Sequence, residues 1–466
     1  MNKRLIIIAI IAILLSGCMA GPKYKKPTVP EPAVFRGSTN PTPDVNSLGD
    51  LKWFELFKDE RLQELIRTAL VQNYDLREAV ARVSAARANL GITRADQFPS
   101  VTAGGNLTSL TNSTGGSVPI TTGSTSERTF GGIVSNLSFE VDLWGRLRRA
   151  TEAARADLLA ADETRKAVIT TLVGDVSSAD FNLLELDMEL EIAKRTLSTR
   201  QESLRLIQVR QQGGVATLLD VRQAEQLVYT AAQTIPDIER LIEQTENQIS
   251  LLLGKNPGDI VRGRRLIDQE QPPEVPPGLP SSLLERRPDI RAAEQSLIAA
   301  NAIIGVAKAS YFPQISLTGF FGYESSQLTS LFTGPMRTWQ FVPQLTQPIF
   351  MGGRLKSNVK LAEAQQQIAL VQYERSIQTA FREVSDSLIE YRKVKEIRTQ
   401  QEALVTTLQD RSRLAYLRYR GGVDTLLNAL DADRDLFAAE LSLAATRRNE
   451  MLALVMIYKA LGGGWQ

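Results

Sequence analysis

The sequence predicts a mainly α-helical fold with a membrane β component, built from long helical hairpins that occur twice. Three observations predict it: an internal duplication, two proline-free stretches of 67 residues at 146–212 and 354–420, and four short segments of alternating polarity. The duplication is plainest in Gly213-Gly214-Val215-Ala216-Thr217-Leu218-Leu219, which returns 208 positions later as Gly421-Gly422-Val423-Asp424-Thr425-Leu426-Leu427. Asp75 with Asp289, Arg77 with Arg291, Gly91 with Gly305 and Phe98-Pro99 with Phe312-Pro313 recur at a spacing of 214, and Arg146-Leu147 with Arg354-Leu355 at 208. Copy two therefore lacks six residues between its Phe-Pro and its Arg-Leu, an interval that reads as a loop tip, where length variation belongs. Self-similarity on this scale decides the fold before any local motif is read.

The amino terminus reads as a processing signal. Two positive charges in Met1 to Arg4 precede an apolar run of eleven residues, Leu5 to Leu15, and then Leu15-Ser16-Gly17-Cys18. Eleven helical residues reach about 16 Å, too short for a hydrocarbon core of about 30 Å, so a cleaved signal is a better reading than a membrane anchor. Cys18 is the single cysteine of the chain. Five segments follow: 1–17 as signal peptide, 18–60 as an N-terminal segment, 61–255 as repeat 1 with a strand hairpin at about 100–143, 256–280 as a proline-rich linker, and 281–466 as repeat 2 with a hairpin at about 314–350.

Each repeat is expected to hold a short helix, a second helix, a strand-like interval, a very long helix, a glycine turn and another long helix. Asp75 and Asp289 stand where side-chain oxygens would cap the second helix. The 67-residue helices would span about 100 Å, and Asp75–Gln97 stacked on Val215–Leu253 about 93 Å, which gives two rods of nearly equal length per repeat. Leu183, Leu190, Leu197 and Leu204 step every seven residues, with Leu186, Ala193 and Ile207 at the matching second position, where Arg200 interrupts the row, and Ile377, Phe381, Val384, Leu388 and Tyr391 step likewise in copy two. A coiled-coil seam and a plain bundle produce the same stripes.

The strand-like intervals separate these readings. Val101, Ala103 and Leu107 alternate with Thr102, Gly104, Asn106 and Thr108; Leu137, Phe139, Val141 and Leu143 alternate with Ser138, Glu140 and Asp142. Copy two alternates Ile315, Leu317, Phe321 and Tyr323 with polar residues, then Trp339, Phe341, Leu345 and Ile349. Segments of about ten residues with this dyad pattern are the size that crosses an outer membrane as β-strand. Only a closed barrel satisfies every backbone group in lipid, and the smallest bacterial barrels need about eight strands. Four strands per chain imply a barrel shared between copies. An edge of a soluble sandwich would give four alternating strands too, at the cost of exposed, glycine-rich edges.

Composition excludes other classes. Removing Lys3 and Arg4 with the signal takes the 54 basic side chains to 52, equal to the 52 acids, so there is no nucleic-acid footprint. With no histidine and one cysteine, the usual zinc, copper and haem ligand sets and every Ser-His-Asp or Cys-His arrangement are missing, so no metal site, cofactor or enzyme is expected.

Cys18-Met19-Ala20-Gly21-Pro22-Lys23-Tyr24, Trp53-Phe54, the run from Gly278-Leu279-Pro280-Ser281 to Arg286-Arg287-Pro288-Asp289-Ile290-Arg291, and Tyr419-Arg420-Gly421-Gly422-Val423-Asp424-Thr425-Leu426-Leu427 together resemble the TolC-type outer-membrane efflux channels, in their NodT-like lipoprotein branch. Leu-Ser-Gly-Cys likewise resembles the bacterial lipobox. The resemblance implies a diacylglycerol and a fatty acid such as palmitate on Cys18, with Met19 after it directing the protein to the outer membrane of a Gram-negative bacterium. It implies a homotrimer with a 12-stranded β-barrel over an α-helical tunnel, serving as the passive exit duct of a tripartite efflux pump for small molecules. The implied partners are a periplasmic adaptor protein, an inner-membrane transporter of the RND type, and outer-membrane lipid. On this reading Gly213, Gly214, Gly421 and Gly422 form the adaptor-docking turns. Asp431, Asp220 and Leu427 are the gate residues, Asp431 fitting the family pattern better, since Asn428 occupies the duplicated position of Asp220. A duct for type I protein secretion, a metal-ion efflux duct and a purely structural periplasmic coiled coil are the alternatives.

Overall fold

The computed structural model describes residues 19–30, 32–38, 47–111, 127–269, 278 and 280–465. Its helices are α1 (Trp53–Leu56), α2 (Glu60–Gln72), α3 (Tyr74–Ala95), α4 (Arg146–Gln212), α5 (Leu218–Leu252), α6 (Pro280–Arg286), α7 (Pro288–Ala309), α8 (Arg354–Arg420) and α9 (Leu426–Ala460). The strands are β1 (Ser100–Thr111), β2 (Glu127–Val141), β3 (Gln314–Ser325) and β4 (Arg337–Thr346). α4 and α8 are each 67 residues long, and α5 and α9 each 35, so the duplication read from the sequence is a duplication of structure.

The second helices are capped differently from the expectation. Asn73, not Asp75, caps α3: its Oδ1 accepts the Leu76 N–H at 3.0 Å while its Nδ2 donates to the Leu252 carbonyl at 2.9 Å. Asp289 lies inside the first turn of α7 and takes a bidentate contact from Arg287, at 3.0 and 2.6 Å. An amide both accepts and donates, and so joins two helix ends in a way a carboxylate cannot.

The chain divides into two compact units. The first gathers residues up to Thr28, Arg82–Ala161 and Ala293–Tyr373, and holds the sheet. Its four strands run antiparallel in the order β1-β2-β3-β4. The register sets Val101 opposite Leu137, Leu137 opposite Gly319, and Gly319 opposite Phe341, while Ser135 faces Phe321 and Phe321 faces Trp339. Residues directly opposite share a face. Val101, Leu107, Ile133, Leu137, Phe321, Trp339, Phe341 and Leu345 therefore line one side, and all are exposed. The other side carries Thr102, Asn106, Asn136, Ser138, Thr318, Gln340 and Gln344, with Val134, Phe320 and Val342 among them. At the end of β2, Glu140 accepts two bonds from Arg146 at 2.9 and 2.6 Å, and Asp142 accepts the Arg148 N–H at 2.9 Å. The first turn of α4 is thus fixed to the strand that precedes it.

The second unit gathers Val29–Ala81, Asp162–Ala292 and Glu374–Gln466. Of the stripes read from the sequence, Leu183, Leu186, Ala193 and Ile207 of α4 and Ile377, Val384 and Leu388 of α8 are buried, while Leu190, Leu197, Leu204, Phe381 and Tyr391 are half-buried. Arg200, which interrupts the first stripe, is buried as well. Its Nε bonds Asp433 Oδ2 at 2.7 Å, its Nη1 bonds the Leu227 carbonyl at 2.9 Å, and its guanidinium lies 4.9 Å from the Phe437 ring centre. The interruption is a cross-link between α4, α5 and α9. Further pairs tie α9 to α4 (Arg448–Glu185 and Arg195–Glu440, each 2.7 Å) and to α8 (Arg398–Glu450, 2.8 Å, and Arg411–Asp435, 2.7 Å). After α5, Arg262 takes Asp187 bidentately at 2.8 and 3.2 Å and also bonds Glu246, pinning the segment that follows Gly254 onto α4 and α5.

Removing one partner of a buried pair leaves an uncompensated charge, so Arg200→Met is expected to destabilise the fold by about 3–5 kcal/mol, and Arg200→Met with Asp433→Leu by clearly less. Urea unfolding of both variants checks this; equal losses would show that Arg200 acts through packing alone. Asp180 supplies a second test. It is buried with no cation bonded to it among the described residues, and burial, reinforced by the charges of Asp59 and Asp187 against the opposing pull of Arg262, raises its carboxyl to about 7. The folded chain then holds this proton more tightly than the unfolded one, whose carboxyl titrates near about 3.9. Its contribution to stability is complete below that pH and is lost as pH rises to about 7. Asp180→Asn is expected to raise the thermal midpoint relative to the parent at pH 8 and to lose that advantage near pH 4, as read by thermal melts at the two pH values.

Candidate functional site

Each long helix ends in a glycine turn of the same construction. In the first, Val215 N–H bonds the Arg210 carbonyl at 2.9 Å and Gly214 N–H that of Gln211 at 3.0 Å. In the second, Val423 N–H bonds Arg418 at 3.1 Å and Gly422 N–H bonds Tyr419 at 3.0 Å. This is a Schellman closure, which needs one residue in the left-handed region. Gly214 and Gly422 supply it, both at φ 74°, whereas Gly213 and Gly421 keep negative φ and continue the helical bonding to Val209 and Leu417. Of the four glycines, one per turn meets the backbone requirement.

Beneath the turns a small core joins the two hairpins: Ile207, Val221, Ala224, Tyr419, Leu426, Ala429 and Leu430. The Arg210 guanidinium lies 4.8 Å from the Tyr419 ring centre, which holds the first turn against the second helix end.

The start of the returning helix differs between the copies. Thr217 caps α5: its Oγ1 accepts the Asp220 N–H at 3.2 Å, and Asp220 Oδ2 accepts both the Thr217 N–H at 2.7 Å and the Thr217 hydroxyl at 2.8 Å. Asp220 therefore closes a capping box. In copy two Thr425 makes no such cap. Asp424 instead braces the turn before the helix, accepting the Thr425 N–H at 2.8 Å, Asn428 Nδ2 at 2.7 Å and Arg418 Nε at 3.1 Å. Those three donors, Arg418 foremost, hold its carboxyl below the usual carboxylate range. Asp220 with Ala216 has become Asn428 with Asp424: an amide donor needs an acceptor, and the acceptor has moved to the neighbouring turn position.

Asp431 lies one turn beyond Leu427 on α9, half-exposed, and pairs with Arg434 at 3.3 Å on its own helix; Leu427 is 51% exposed. Val215, Leu218, Leu219 and Val423 are also exposed around the turns. The repeated Gly-Gly-Val-x-Thr-Leu-Leu block contains these apolar neighbours beside the glycines. Their exposure was not legible, because Leu426 is buried in the small core while its duplicate Leu218 is not.

Cys18 lies outside the described residues. The segment that follows it is seated on the first unit: Ala20 N–H donates to the Trp144 carbonyl at 2.9 Å, Arg149 Nε to the Ala20 carbonyl at 3.1 Å, and Asn301 Nδ2 to the Pro22 carbonyl at 3.1 Å. A β-carbon on Gly21 would overlap Gly305. Trp144 stacks on Phe312 at 4.7 Å, three residues beyond the end of β2.

The sequence family described as Outer membrane efflux protein matches residues 65–255 and 279–463. The chain belongs to that family. Among curated relatives, the toluene efflux pump outer membrane protein TtgC of Pseudomonas putida is 39% identical over 476 residues, covering 100% of this chain and 96% of its own. The cation efflux system protein CusC of Escherichia coli is 35% identical over 461 residues, covering 98% of each. Among solved structures, the open state of the Neisseria gonorrhoeae MtrE outer membrane channel superposes with a TM-score of 0.86 at 32% identity, covering 96% of this chain and 99% of that one. This efflux protein is accordingly a TolC-type outer-membrane channel of a tripartite efflux pump, in a family of channels rather than enzymes.

The capping role of Asp220 is separable from any role in conduction. Asp220→Ala is expected to cost about 1 kcal/mol through loss of the cap, with Asp220→Asn intermediate. Urea unfolding of the two variants measures it, and a cost near zero for both would remove Asp220 from the helix start.

Proposed function

We propose that three copies of this efflux protein form one passive duct, with twelve strands closing a barrel in the outer membrane and the helices enclosing a tunnel for small, largely apolar molecules. The observation that carries this reading is the open sheet. Its apolar side is exposed and both β1 and β4 are edges, yet lipid offers no partner to an edge N–H or C=O. Closure must come from other copies, and the family resemblance supplies the number three. The cargo is supported by the kinship with a toluene efflux component.

In this reading residues 18–60 form the lipidated amino-terminal segment, 61–255 and 281–466 the two repeats, and 256–280 their linker. The acyl chains on Cys18 anchor each copy. The seating of Ala20 against the Trp144 carbonyl, close to the end of a strand, supports a lipid at that level. Gly213, Gly214, Gly421 and Gly422 shape two blunt tips on which a periplasmic adaptor docks, its inner-membrane partner an RND-type transporter. Exposed Val215, Leu218, Leu219 and Val423 give that adaptor an apolar surface. We assign the constriction to a ring of Asp431 with Leu427 as its apolar neighbour: three carboxylates converging on an axis attract cations and narrow the mouth. Asp220 contributes there through the turn it caps.

The test is a cysteine scan pairing Val101→Cys on β1 with each of residues 338–346 on β4, followed by planar-bilayer recording. Oxidation is expected to give a covalent species of three times the chain mass. Asp431→Ala is expected to raise conductance and weaken cation preference. Monomer at every pair, or a reconstituted protein that passes no ions, refutes the duct; unchanged conductance in Asp431→Ala alone removes only the gate.

A further inference from the structure

The second unit contains a cleft that neither the sheet nor the turns explain. It has a volume of about 580 Å³ and opens to solvent between the α2–α3 corner, α4 and the carboxy-terminal turn. Trp53, Leu76, Val80, Ile169 and Trp465 give it apolar walls. That size and lining are those of a small-molecule site, in which a few polar groups fix orientation.

The polar groups here are all donors. Trp465 Nε1 is buried with no hydrogen-bond partner among the described residues. Arg77 stacks on the Tyr74 ring, 5.3 Å from its centre, and has no carboxylate partner among the described residues. The other guanidinium of the lining, Arg165, is already engaged by Asp162 at 3.1 Å, and Lys166 sits 5.1 Å from the Trp465 ring centre. No carboxylate lines the cleft. An indole N–H orphaned in an apolar wall costs free energy unless an acceptor arrives, and an unpaired guanidinium presents a planar fork that matches two carboxylate oxygens. Two indoles on the walls suit a flat ring between them.

We propose that this cleft binds small aromatic carboxylates, with the carboxylate held by Arg77 and the Trp465 N–H and the ring held by Trp53 and Trp465. The site is distinct from the glycine turns and from the sheet.

The test uses the full-length protein in nanodiscs, with Trp144→Phe and Trp339→Phe so that Trp53 and Trp465 alone emit. Titration with 1-naphthoate is expected to give saturable quenching. Arg77→Gln, an exposed position where folding is not at stake, is expected to weaken it about tenfold, the loss of one charge-assisted hydrogen bond. Trp465→Phe, which keeps an aromatic ring and removes the donor, is expected to weaken binding several-fold, and 1-naphthylmethylamine is expected to give no saturable signal. Linear, non-saturating quenching by naphthoate overturns the proposal. Equal affinity of the parent and Arg77→Gln, or equal affinity for the amine, overturns it as well.

Discussion

A peptide group in hydrocarbon must be hydrogen-bonded, and this chain brings four strands to a membrane that accepts only closed sheets. That shortfall organises the rest of the molecule. The strands must be mainly apolar on one side and mainly polar on the other, as their register makes them, and the sheet must end in two edges that stay available. What the sheet lacks in strands, the assembly we propose supplies.

The helical part answers a different demand. Helices of 67 residues have too much length for a single globular core, and their contact surfaces are narrow, with many alanines among the buried residues. Apolar burial alone leaves such rods free to slide by a heptad. Ion pairs with two or three bonds each oppose that sliding. Arg200 ties α4 to α5 and α9, Arg262 ties α4 to α5, and Arg287 joins Asp289, Glu383 and the Ala460 carbonyl at the end of α9. Buried charges of this kind add little net stability, since desolvation offsets most of the attraction, but a misregistered pair would cost several kcal/mol. Register is what they fix.

Duplication gave this protein two copies of each device, and the copies have since diverged where they meet. The glycine closures remain alike because left-handed backbone has no cheap substitute for glycine. The helix starts differ: a capping box of Thr217 with Asp220 in one copy, and in the other a turn braced by Asp424 with Asn428 and Arg418 and no side-chain cap. Leu218 stayed at the surface while Leu426 entered a core. Two tips of one backbone design thereby present two chemistries.

The duplication, the helix lengths, the four strands and the family were legible from the residues, because each depends on patterns carried along one chain: period, spacing, and the position of glycine and proline. The named carboxylates and glycines stand out in the sequence only as motif positions; of them, Gly214 and Gly422 supply the left-handed turn residues and Asp220 a capping box. Their partners were not legible. Nothing in the order of residues says that Arg200 reaches Asp433, that Asn73 rather than Asp75 caps α3, that Asp220 bonds its own turn, or that Trp465 and Arg77 share a cleft. These depend on which side chains from distant segments arrive within 3 Å of one another, and that is settled only when the rods pack. Local sequence determined the elements; burial and hydrogen-bond satisfaction between them decided what each polar side chain does.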